Sequence, residues 1–294
     1  MHSVNSGPVV CAESTIFSEL GLPAPYNRQA LERCAAAVEM VGVAYSVTAV
    51  LDGQIELQVH PHHYDRICGP ARKVAARDLA VAVAQKWGYG ATTVSASLMI
   101  AHGAGMKVFA TGGIGGVHIG AETTGDISAD LEAIARYPVI TVSAGAKVFL
   151  DLQRTVEHLE MLSVPVLGWN CDEFPAFHAR SSGLPVTHRV ESEEEVAQIA
   201  KAHWALGGGG VLVVAPVPKA DALEWETLKA AANEAVARAQ ANEISGNAVT
   251  PAVLSYLAEL TNGRSIDANL ALAENNASIA AHIAVELRQA LLGG

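Results

Sequence analysis

Lys147 stands in a segment where a lysine is unusual, because the residues before it, Val142-Ser143-Ala144-Gly145-Ala146, are small or apolar. A lysine held among such residues is partly desolvated, and desolvation lowers the pKa of its ammonium group. A neutral amine can attack a carbonyl carbon and form a Schiff base. The alternative interpretation is a lysine whose side chain extends from the end of a strand into solvent. We therefore treat Lys147 as a candidate nucleophile.

Two carboxylates occur where they could assist such a lysine. Glu13 follows the first apolar run and could be a general acid/base, or an acidic residue in the first turn of a helix. Asp130 belongs to a segment that resembles a loop entering a helix, in which Asp126 and Ser128 suit helix capping. If Asp130 points into a crevice, its carboxylate together with waters could hold Mg²⁺ or Mn²⁺.

A glycine-rich segment, Thr111-Gly112-Gly113-Ile114-Gly115-Gly116-Val117-His118, follows the apolar run that ends at Ala110. In open α/β sheets, ligands commonly bind beyond the carboxyl ends of the strands. Glycines there permit positive φ angles and let backbone N–H groups approach an anion. The spacing is not that of a P-loop, so the segment predicts either a small anion site or a tight turn without chemistry.

Short apolar runs alternate along the chain with longer segments of helical period, which is typical of layered α/β proteins. Buried strands are predicted at 9–11, 107–110, 139–142, 164–167 and 211–214. Helices are predicted at 72–87, 192–206, 220–240, 251–260 and 266–292. The alternating segment 45–59 predicts a β-hairpin around Asp52-Gly53, and the glycines at 207–210 end a helix and lead into a strand.

We predict a single domain over residues 1–294, with residues 1–7 as a loose N-terminal tail. The expected fold class is α/β, a three-layer α/β/α sandwich around a central mixed, mostly parallel sheet. Half of the 294 residues are hydrophobic, which is enough for one large core. Only 17% of them are charged, so part of the surface is expected to be buried between the subunits of a homo-oligomer.

The net charge of -11 argues against a nucleic-acid partner, because binding a phosphate backbone needs an excess of Lys and Arg. No apolar run reaches the roughly 20 residues that a membrane-spanning helix needs, so no membrane partner is expected. The four cysteines are too widely spaced for a CxxC metal or redox motif, and no signal peptide precedes them. These features predict free thiols in a cytoplasmic protein.

Several short motifs, in their order and spacing, resemble one known family from about residue 9 to residue 284. The motifs are Glu13-Ser14-Thr15-Ile16, the segment 109–118 with Gly120-Ala121-Glu122, the segment 126–131, Ala144-Gly145-Ala146-Lys147, the segment 172–177 and Asn275-Asn276-Ala277. By these motifs the chain resembles the pseudouridine-5'-phosphate glycosidases, which include the indigoidine synthase A-like proteins.

The resemblance implies a reversible reaction, the cleavage of the C–C glycosidic bond of pseudouridine 5'-phosphate into uracil and ribose 5-phosphate. It implies that Lys147 is the Schiff-base lysine, that Glu13 is the acid/base residue, and that Asp130 binds a divalent metal such as Mn²⁺. The substrate-binding residues that it implies are Lys73, Thr93, His118, Ser128 and Asn269. It also implies a homotrimer.

The sequence departs from the family pattern around the expected phosphate site. Ile119 follows His118 where the family commonly has an arginine, and Lys73 is followed by Val74-Ala75-Ala76, where the family usually has a serine. Two alternatives therefore remain open. One is a C-glycosynthase or Schiff-base lyase acting on a different base or sugar phosphate, and the other is a non-catalytic sugar-phosphate-binding paralogue.

Overall fold

The computed structural model describes residues 7–244 and 249–293. Its α-helices are α1 (Tyr26–Glu39), α2 (Tyr64–Ile67), α3 (Leu79–Ala84), α4 (Val94–Gly103), α5 (Ala121–Thr124), α6 (Ala129–Arg136), α7 (Leu152–Met161), α8 (Glu193–Ala205), α9 (Trp225–Ala241), α10 (Val249–Leu260) and α11 (Arg264–Leu292). Its β-strands are β1 (Val9–Glu13), β2 (Ala44–Leu51), β3 (Gln54–Glu56), β4 (Arg72–Val74), β5 (Tyr89–Thr92), β6 (Val108–Ala110), β7 (Val117–His118), β8 (Ile140–Ser143), β9 (Leu150–Asp151), β10 (Val166–Trp169), β11 (His188–Val190) and β12 (Val211–Val214). The predicted loose tail lies outside the described residues apart from Gly7, which is exposed.

Ten strands form one sheet in the order β11-β10-β12-β8-β6-β1-β2-β5-β4, with β3 paired to β2. Neighbouring strands are parallel except where β2 meets β3 and β5. The central strands are covered on both faces, so they consist of continuous apolar runs such as Val211–Val214. Helix α11 packs on β1, β6 and β8 beside α1 and α8, while α4 and α6 pack together in the other helical layer. The predicted α/β class with a mixed, mostly parallel sheet is confirmed.

All five predicted strands are present, as β1, β6, β8, β10 and β12, and four of the five predicted helices are present, as α8 to α11. The predicted hairpin is formed by β2 and β3, which pair antiparallel. Its turn residues Asp52 and Gly53 have φ angles of 51° and 78°, the left-handed values that a type I′ turn needs. The guanidinium of Arg66 donates to both carboxylate oxygens of Asp52, at 2.7 and 2.6 Å, and so stabilises the turn.

The single helix predicted over residues 72–87 is wrong. The segment begins as strand β4, turns through a short 3₁₀ helix at Ala76–Asp78, and becomes helical only in α3. Its alanines and valines favour a helix locally, but β4 pairs in parallel with β5, with Lys73 opposite Ala91. Hydrogen bonding along the sheet edge outweighs the helix propensity of these residues, because propensity contributes little free energy per residue. Lys73 consequently lies on a strand and not on a helix.

Two strands meet end to end along one neighbour at the middle of the sheet. Strand β1 runs parallel to residues 44–48 of β2, whereas β5 runs antiparallel to residues 49–51 of the same strand. Their carboxyl ends therefore converge, and Ser14 and Thr92 exchange hydrogen bonds there, with the Ser14 amide donating to Thr92 Oγ1 at 3.3 Å and the Thr92 amide donating to Ser14 Oγ at 3.0 Å. Thr48 joins them through a hydroxyl contact of 3.0 Å with Thr92. At this junction, hydrogen bonds of side-chain hydroxyls take the place of the backbone hydrogen bonds that end with the two strands.

The glycine-rich segment after β6 and the segment after β8 run side by side. The Ala144 amide donates to the Gly112 carbonyl at 2.9 Å, and the Ile114 amide donates to the Gly145 carbonyl at 3.0 Å. The Lys147 amide in turn donates to the Ile114 carbonyl at 3.2 Å. These bonds extend the pairing of the two strands beyond their ends and fix the backbone on which Lys147 stands.

The 29-residue helix α11 carries a fully buried asparagine into the core. The side-chain amide of Asn276 donates to the carbonyls of Thr111, at 2.8 Å, and Gly112, at 3.3 Å. Buried carbonyls need such partners, so Asn276 holds the beginning of the glycine-rich segment. Despite the length of α11, no helix within the described residues is long and apolar enough to cross a membrane.

We predict that Asn276→Ala lowers the free energy of unfolding by about 2 kcal/mol, because the Thr111 carbonyl loses its side-chain donor, the Gly112 carbonyl keeps only the Ala144 amide, and a small cavity opens. Urea denaturation followed by circular dichroism measures this loss. Asn275→Ala is the matched control, since Asn275 is the preceding residue of the same type and is only partly buried. Equal effects of the two substitutions would contradict the assigned role of Asn276.

Candidate active site

The carboxyl ends of β1, β4, β5, β6 and β8 surround a cavity of about 380 Å³. Seven of the eight residues that the sequence singled out line it, although they come from distant parts of the chain. These seven are Glu13, Lys73, Thr93, His118, Ser128, Asp130 and Lys147. The eighth, Asn269, lines a neighbouring cavity of about 230 Å³. One crevice at the strand ends therefore holds the predicted nucleophile, the predicted acid and the predicted metal ligand together.

Lys147 is held by the segment that follows β8, and its side chain is partly buried. The backbone turns at Gly145, where φ is 79° and a Cβ atom would collide with the carbonyl oxygen of Pro175, so only glycine fits. Within residues 7–244 and 249–293, the Lys147 ammonium forms no salt bridge. Its amine lines the cavity without being committed to a carboxylate.

Glu13 ends strand β1 and is only 6% exposed. Its Oε1 atom accepts a hydrogen bond from the Thr111 hydroxyl at 2.6 Å, whereas Oε2 has no hydrogen-bond partner among the described residues. Burial raises the pKa of this carboxyl from 4.5 to about 7, and the Thr111 hydrogen bond and the charge of Lys147 only partly oppose the rise. Near neutral pH, Glu13 can therefore either donate or accept a proton, as a general acid/base must.

Asp130 lies in the first turn of α6 and joins two parts of the cavity wall. One carboxylate oxygen accepts from the Ser95 amide and the other from the Gly115 amide, both at 3.0 Å. The Ser128 hydroxyl accepts from the Asp130 amide at 3.2 Å, which confirms the predicted helix cap. Gly115 has no room for a side chain, because a Cβ atom there would collide with Ser128. Asp130 thus fixes the glycine-rich segment against the start of α4.

Basic side chains line the side of the cavity formed by β4 and β7. Lys73 and His118 both line it, and burial lowers the pKa of each. The charge of Lys147, which lines the same cavity, lowers the pKa of Lys73 further. The Asp126 carboxylate lies 3.9 Å from the His118 imidazole, and its negative charge partly opposes the lowering of the His118 pKa. This side of the cavity is suited to an anion.

Sequence reasoning missed two residues that belong to this site. The sequence shows Thr111 as the first residue of the glycine-rich segment and gives its side chain no role, yet the Thr111 hydroxyl orients Glu13. Arg77 also lines the cavity, and among the described residues its guanidinium forms a single salt bridge, with the Asp78 carboxylate at 3.6 Å. Arg77 follows Lys73 by four residues, and a second basic residue so close to a predicted substrate-binding lysine could have indicated that it belongs to the site. The wrong prediction of a helix over 72–87 hid the turn that separates the two residues.

The carboxylates of the cavity do not form a dense metal cluster. The described part of the chain contains no group of three or more His, Cys, Asp or Glu side chains arranged to hold a metal ion. Asp130 and Asp126 both line the cavity, and the Asp126 side chain is 65% exposed. A hard divalent cation can be held by one or two carboxylates with water completing its shell, so this donor set is compatible with Mg²⁺ or Mn²⁺.

Comparison with known proteins agrees with this arrangement. The family described as indigoidine synthase A like protein matches residues 2–286. The chain belongs to this family. A pseudouridine-5'-phosphate glycosidase of Methylobacterium nodulans is 47% identical over 98% of this chain and 86% of its own length. A pseudouridine-5'-phosphate glycosidase of Sorangium cellulosum is 45% identical over 96% of this chain and 89% of its own length.

Solved structures extend the family likeness to the fold. The prealnumycin C-glycosynthase AlnA, crystallised in complex with ribulose 5-phosphate, superposes with a TM-score of 0.88 at 33% identity, covering 98% of this chain and 94% of its own. An indigoidine synthase A-like protein from Thermotoga maritima superposes with a TM-score of 0.87 at 34% identity, covering 96% and 93%. The family and the fold expected from the sequence are both confirmed.

We predict that Glu13→Gln stabilises the protein at high pH but not at low pH. Because burial raises the pKa of Glu13 to about 7, the folded state keeps a proton that the unfolded state loses above pH 4.5, so this group lowers stability as the pH rises from 4.5 to 7. Glutamine does not titrate. The free energy of unfolding of Glu13→Gln minus that of wild type should therefore increase by on the order of 3 kcal/mol between pH 4 and pH 8.

Urea denaturation of both proteins at the two pH values checks this difference. Glu39→Gln serves as the control, because Glu39 is an exposed carboxylate at the end of α1. A pH-independent difference between Glu13→Gln and wild type would mean that Glu13 is not desolvated in the folded protein.

Proposed function

We propose that this protein cleaves the C–C glycosidic bond of pseudouridine 5'-phosphate, and that it does so through a Schiff base on Lys147. As a member of its family, the chain is an enzyme that acts on a C-glycosyl bond. The proposal for the substrate rests on the names of the relatives at 40–47% identity. One observation carries the proposal for the chemistry: the Lys147 amine and a buried carboxyl with a free oxygen, Glu13, line one cavity.

A C–C bond presents a chemical problem that explains this pair. An ordinary glycosidase protonates an oxygen or nitrogen leaving atom, but here carbon itself must leave. A lysine bonded to C1' of the sugar supplies a nitrogen lone pair that can form a C=N bond as the C–C bond breaks. An acid must at the same time deliver a proton to C5 of uracil. The Lys147 amine fits the first role and protonated Glu13 fits the second.

The bonds and protons balance in three steps. The Lys147 amine attacks C1' and displaces the ring oxygen, and the proton that the nitrogen loses on becoming a secondary amine passes to this oxygen as the sugar opens. The bond between C1' and C5 of the base then breaks, its electron pair passes to C5 together with a proton from Glu13, and C1' is left as an iminium on Lys147. Water hydrolyses the iminium, which frees ribose 5-phosphate and regenerates the amine. The reverse sequence joins uracil to ribose 5-phosphate.

The phosphate of the substrate fits the cationic side of the cavity. Lys73 lies in β4, Arg77 lies on the turn that follows this strand, and His118 ends the glycine-rich segment. Charge-assisted hydrogen bonds from such groups favour a dianion. Thr93 lines the same cavity, with its hydroxyl 3.0 Å from that of Ser95. We assign the predicted substrate-binding roles of Lys73, Thr93 and His118 to the sugar phosphate.

We further propose that Asp130 binds a divalent cation such as Mn²⁺, with Asp126 as a second oxygen ligand. Each Asp130 oxygen already accepts one backbone hydrogen bond and retains a further lone pair. Asp126 supports the proposal because its exposed carboxylate faces the same cavity. When bound, the cation supplies Lewis-acid stabilisation of negative charge on substrate oxygens.

A second candidate function is the joining or cleavage of another ring at the same type of bond. The likeness to a C-glycosynthase favours it, as does Ile119, which is 60% exposed beside His118 and contributes no charge there. The non-catalytic alternative is not retained, because the chain belongs to a family of enzymes that act on C-glycosyl bonds. The homotrimer and the cytoplasmic location stay predictions.

We predict that Lys147→Ala releases no uracil from pseudouridine 5'-phosphate, whereas wild type releases uracil and ribose 5-phosphate in equal amounts. Wild type treated with ribose 5-phosphate and borohydride should carry one reduced sugar adduct on Lys147, visible by peptide mass spectrometry. Lys219→Ala is the control, since Lys219 is exposed and lies outside the cavity lining. Uracil release by folded Lys147→Ala would exclude the Schiff-base route.

For the metal we predict that wild type binds Mn²⁺ in equilibrium dialysis, and that Asp126→Asn and Asp130→Asn each weaken this binding at least about tenfold, since each removes one charged oxygen ligand. Asp65→Asn serves as the control because Asp65 is exposed on α2, outside the cavity lining. Unchanged Mn²⁺ affinity in both cavity variants would refute the assigned ligands, whatever their catalytic activity.

A further inference from the structure

A second cavity of about 230 Å³ adjoins the first one, between the loop after β1 and the helices α10 and α11. Pro251 lines both cavities, and the loop after β1 divides between them, since Leu20 faces the first while Glu19 and Gly21 face the second. A volume of this size has room for several waters or for one single-ring heterocycle. The neighbouring position suggests that one ligand can extend through both.

Two lining residues of this second cavity carry buried polar atoms without a protein partner. His178 is 1% exposed, and within the described residues neither of its ring nitrogens has a hydrogen-bond partner. Asn269 is 6% exposed, and its side-chain oxygen is likewise without one. Buried polar groups are costly unless they are hydrogen-bonded, so two of them at one cavity indicate a polar occupant.

We propose that this second cavity binds the heterocyclic base of the substrate, and that His178 is a residue that determines which base is accepted. The inference rests on the proposed function, because it divides the substrate of that reaction between the two cavities. The sugar phosphate occupies the first cavity and the base occupies the second.

The position of Glu13, the proposed proton donor, agrees with placing the base in the second cavity. Asn269 Oδ1 would lie 3.5 Å from a Cβ atom on Gly112, the residue that directly follows Thr111. Thr111 donates to Glu13, so the second cavity adjoins the segment that orients the proton donor. A base held there presents its glycosidic carbon towards Glu13 and Lys147, between the two cavities. A base on the cationic side of the first cavity would instead compete with the phosphate.

The charges sort the two halves of the substrate in the same way. The first cavity is lined by the cations Lys73, Arg77 and Lys147 together with four carboxyl groups, whereas no Lys or Arg of the described chain lines the second. The second cavity has mostly apolar and uncharged polar walls, with Glu19 at an exposed position. A dianionic phosphate therefore gains most in the first cavity, and a neutral ring in the second.

The hydrogen-bonding capacity of His178 matches an imide or lactam ring. Burial lowers the pKa of its imidazole to about 3, so the ring is neutral and carries one N–H donor and one acceptor nitrogen. Asn269 adds an acceptor oxygen. Uracil offers alternating N–H and C=O groups, which can pair with both kinds of site. A ring that lacks these groups leaves the buried nitrogen atoms without partners and is rejected.

Steady-state kinetics in the direction of synthesis test the proposal. The variants are His178→Phe, which keeps an aromatic ring of similar shape but has no polar atom, and His178→Gln, which keeps a donor and an acceptor. We expect His178→Phe to raise the KM for uracil at least about tenfold, the effect of losing one good hydrogen bond, and to leave the KM for ribose 5-phosphate within about twofold of wild type. His178→Gln should recover part of the loss.

The outcomes separate the base site from a purely structural histidine. A folded His178→Phe enzyme with an unchanged KM for uracil, or with both KM values raised equally, would overturn the proposal and leave the cavity as a site for water. If wild type forms no product from uracil, the proposed function fails, and calorimetry with uracil alone then tests the cavity. Uracil binding that His178→Phe abolishes supports the base site independently of turnover, and binding that is absent or insensitive to His178 refutes it.

Discussion

The sharing of β2 by two strands of opposite direction is the constraint on which the site depends. Because β1 runs parallel and β5 antiparallel to successive parts of β2, their carboxyl ends face each other. Neither strand can continue, so the ladder is completed by the hydroxyls of Ser14, Thr48 and Thr92. An interruption of the sheet at this point brings Glu13 and Thr93 within one cavity and leaves space for a ligand beyond the strand ends.

Two carboxyl groups of the cavity, those of Asp130 and Glu13, lie in opposite kinds of surroundings. Asp130 receives two backbone N–H groups and lies at the beginning of a helix, where a negative charge is favourable. Glu13 receives one hydroxyl and is otherwise enclosed by the core, so its pKa is raised to about 7. One carboxylate thereby acts as a fixed charge that holds the glycine-rich segment, and the other becomes a proton carrier at neutral pH.

The cavity walls depend on backbone segments that only small residues can form. The segment after β8 turns at Gly145 with a positive φ angle, and the segment after β6 passes so close to Ser128 at Gly115 that no side chain fits. Asn276 on α11 anchors the latter segment from the core side. Lys147 is therefore positioned by backbone contacts, and its amine forms no salt bridge within residues 7–244 and 249–293, so it stays available for chemistry.

The sequence by itself determined the α/β class, all five predicted strands, and the types of residue at the site, since apolar periodicity and local motifs depend on neighbours along the chain. Family motifs in the sequence also predicted roles for Lys147, Glu13 and Asp130, which line one cavity in the structure. Only the tertiary structure decided that residues 72–74 form a strand, because pairing with β5 outweighs the helical preference of the alanines. It also decided that Thr111 orients Glu13 and that His178 and Asn269 line one cavity. The residues of these pairs lie 98 and 91 positions apart, and no pattern along the chain shows which residues so distant in sequence come close in space.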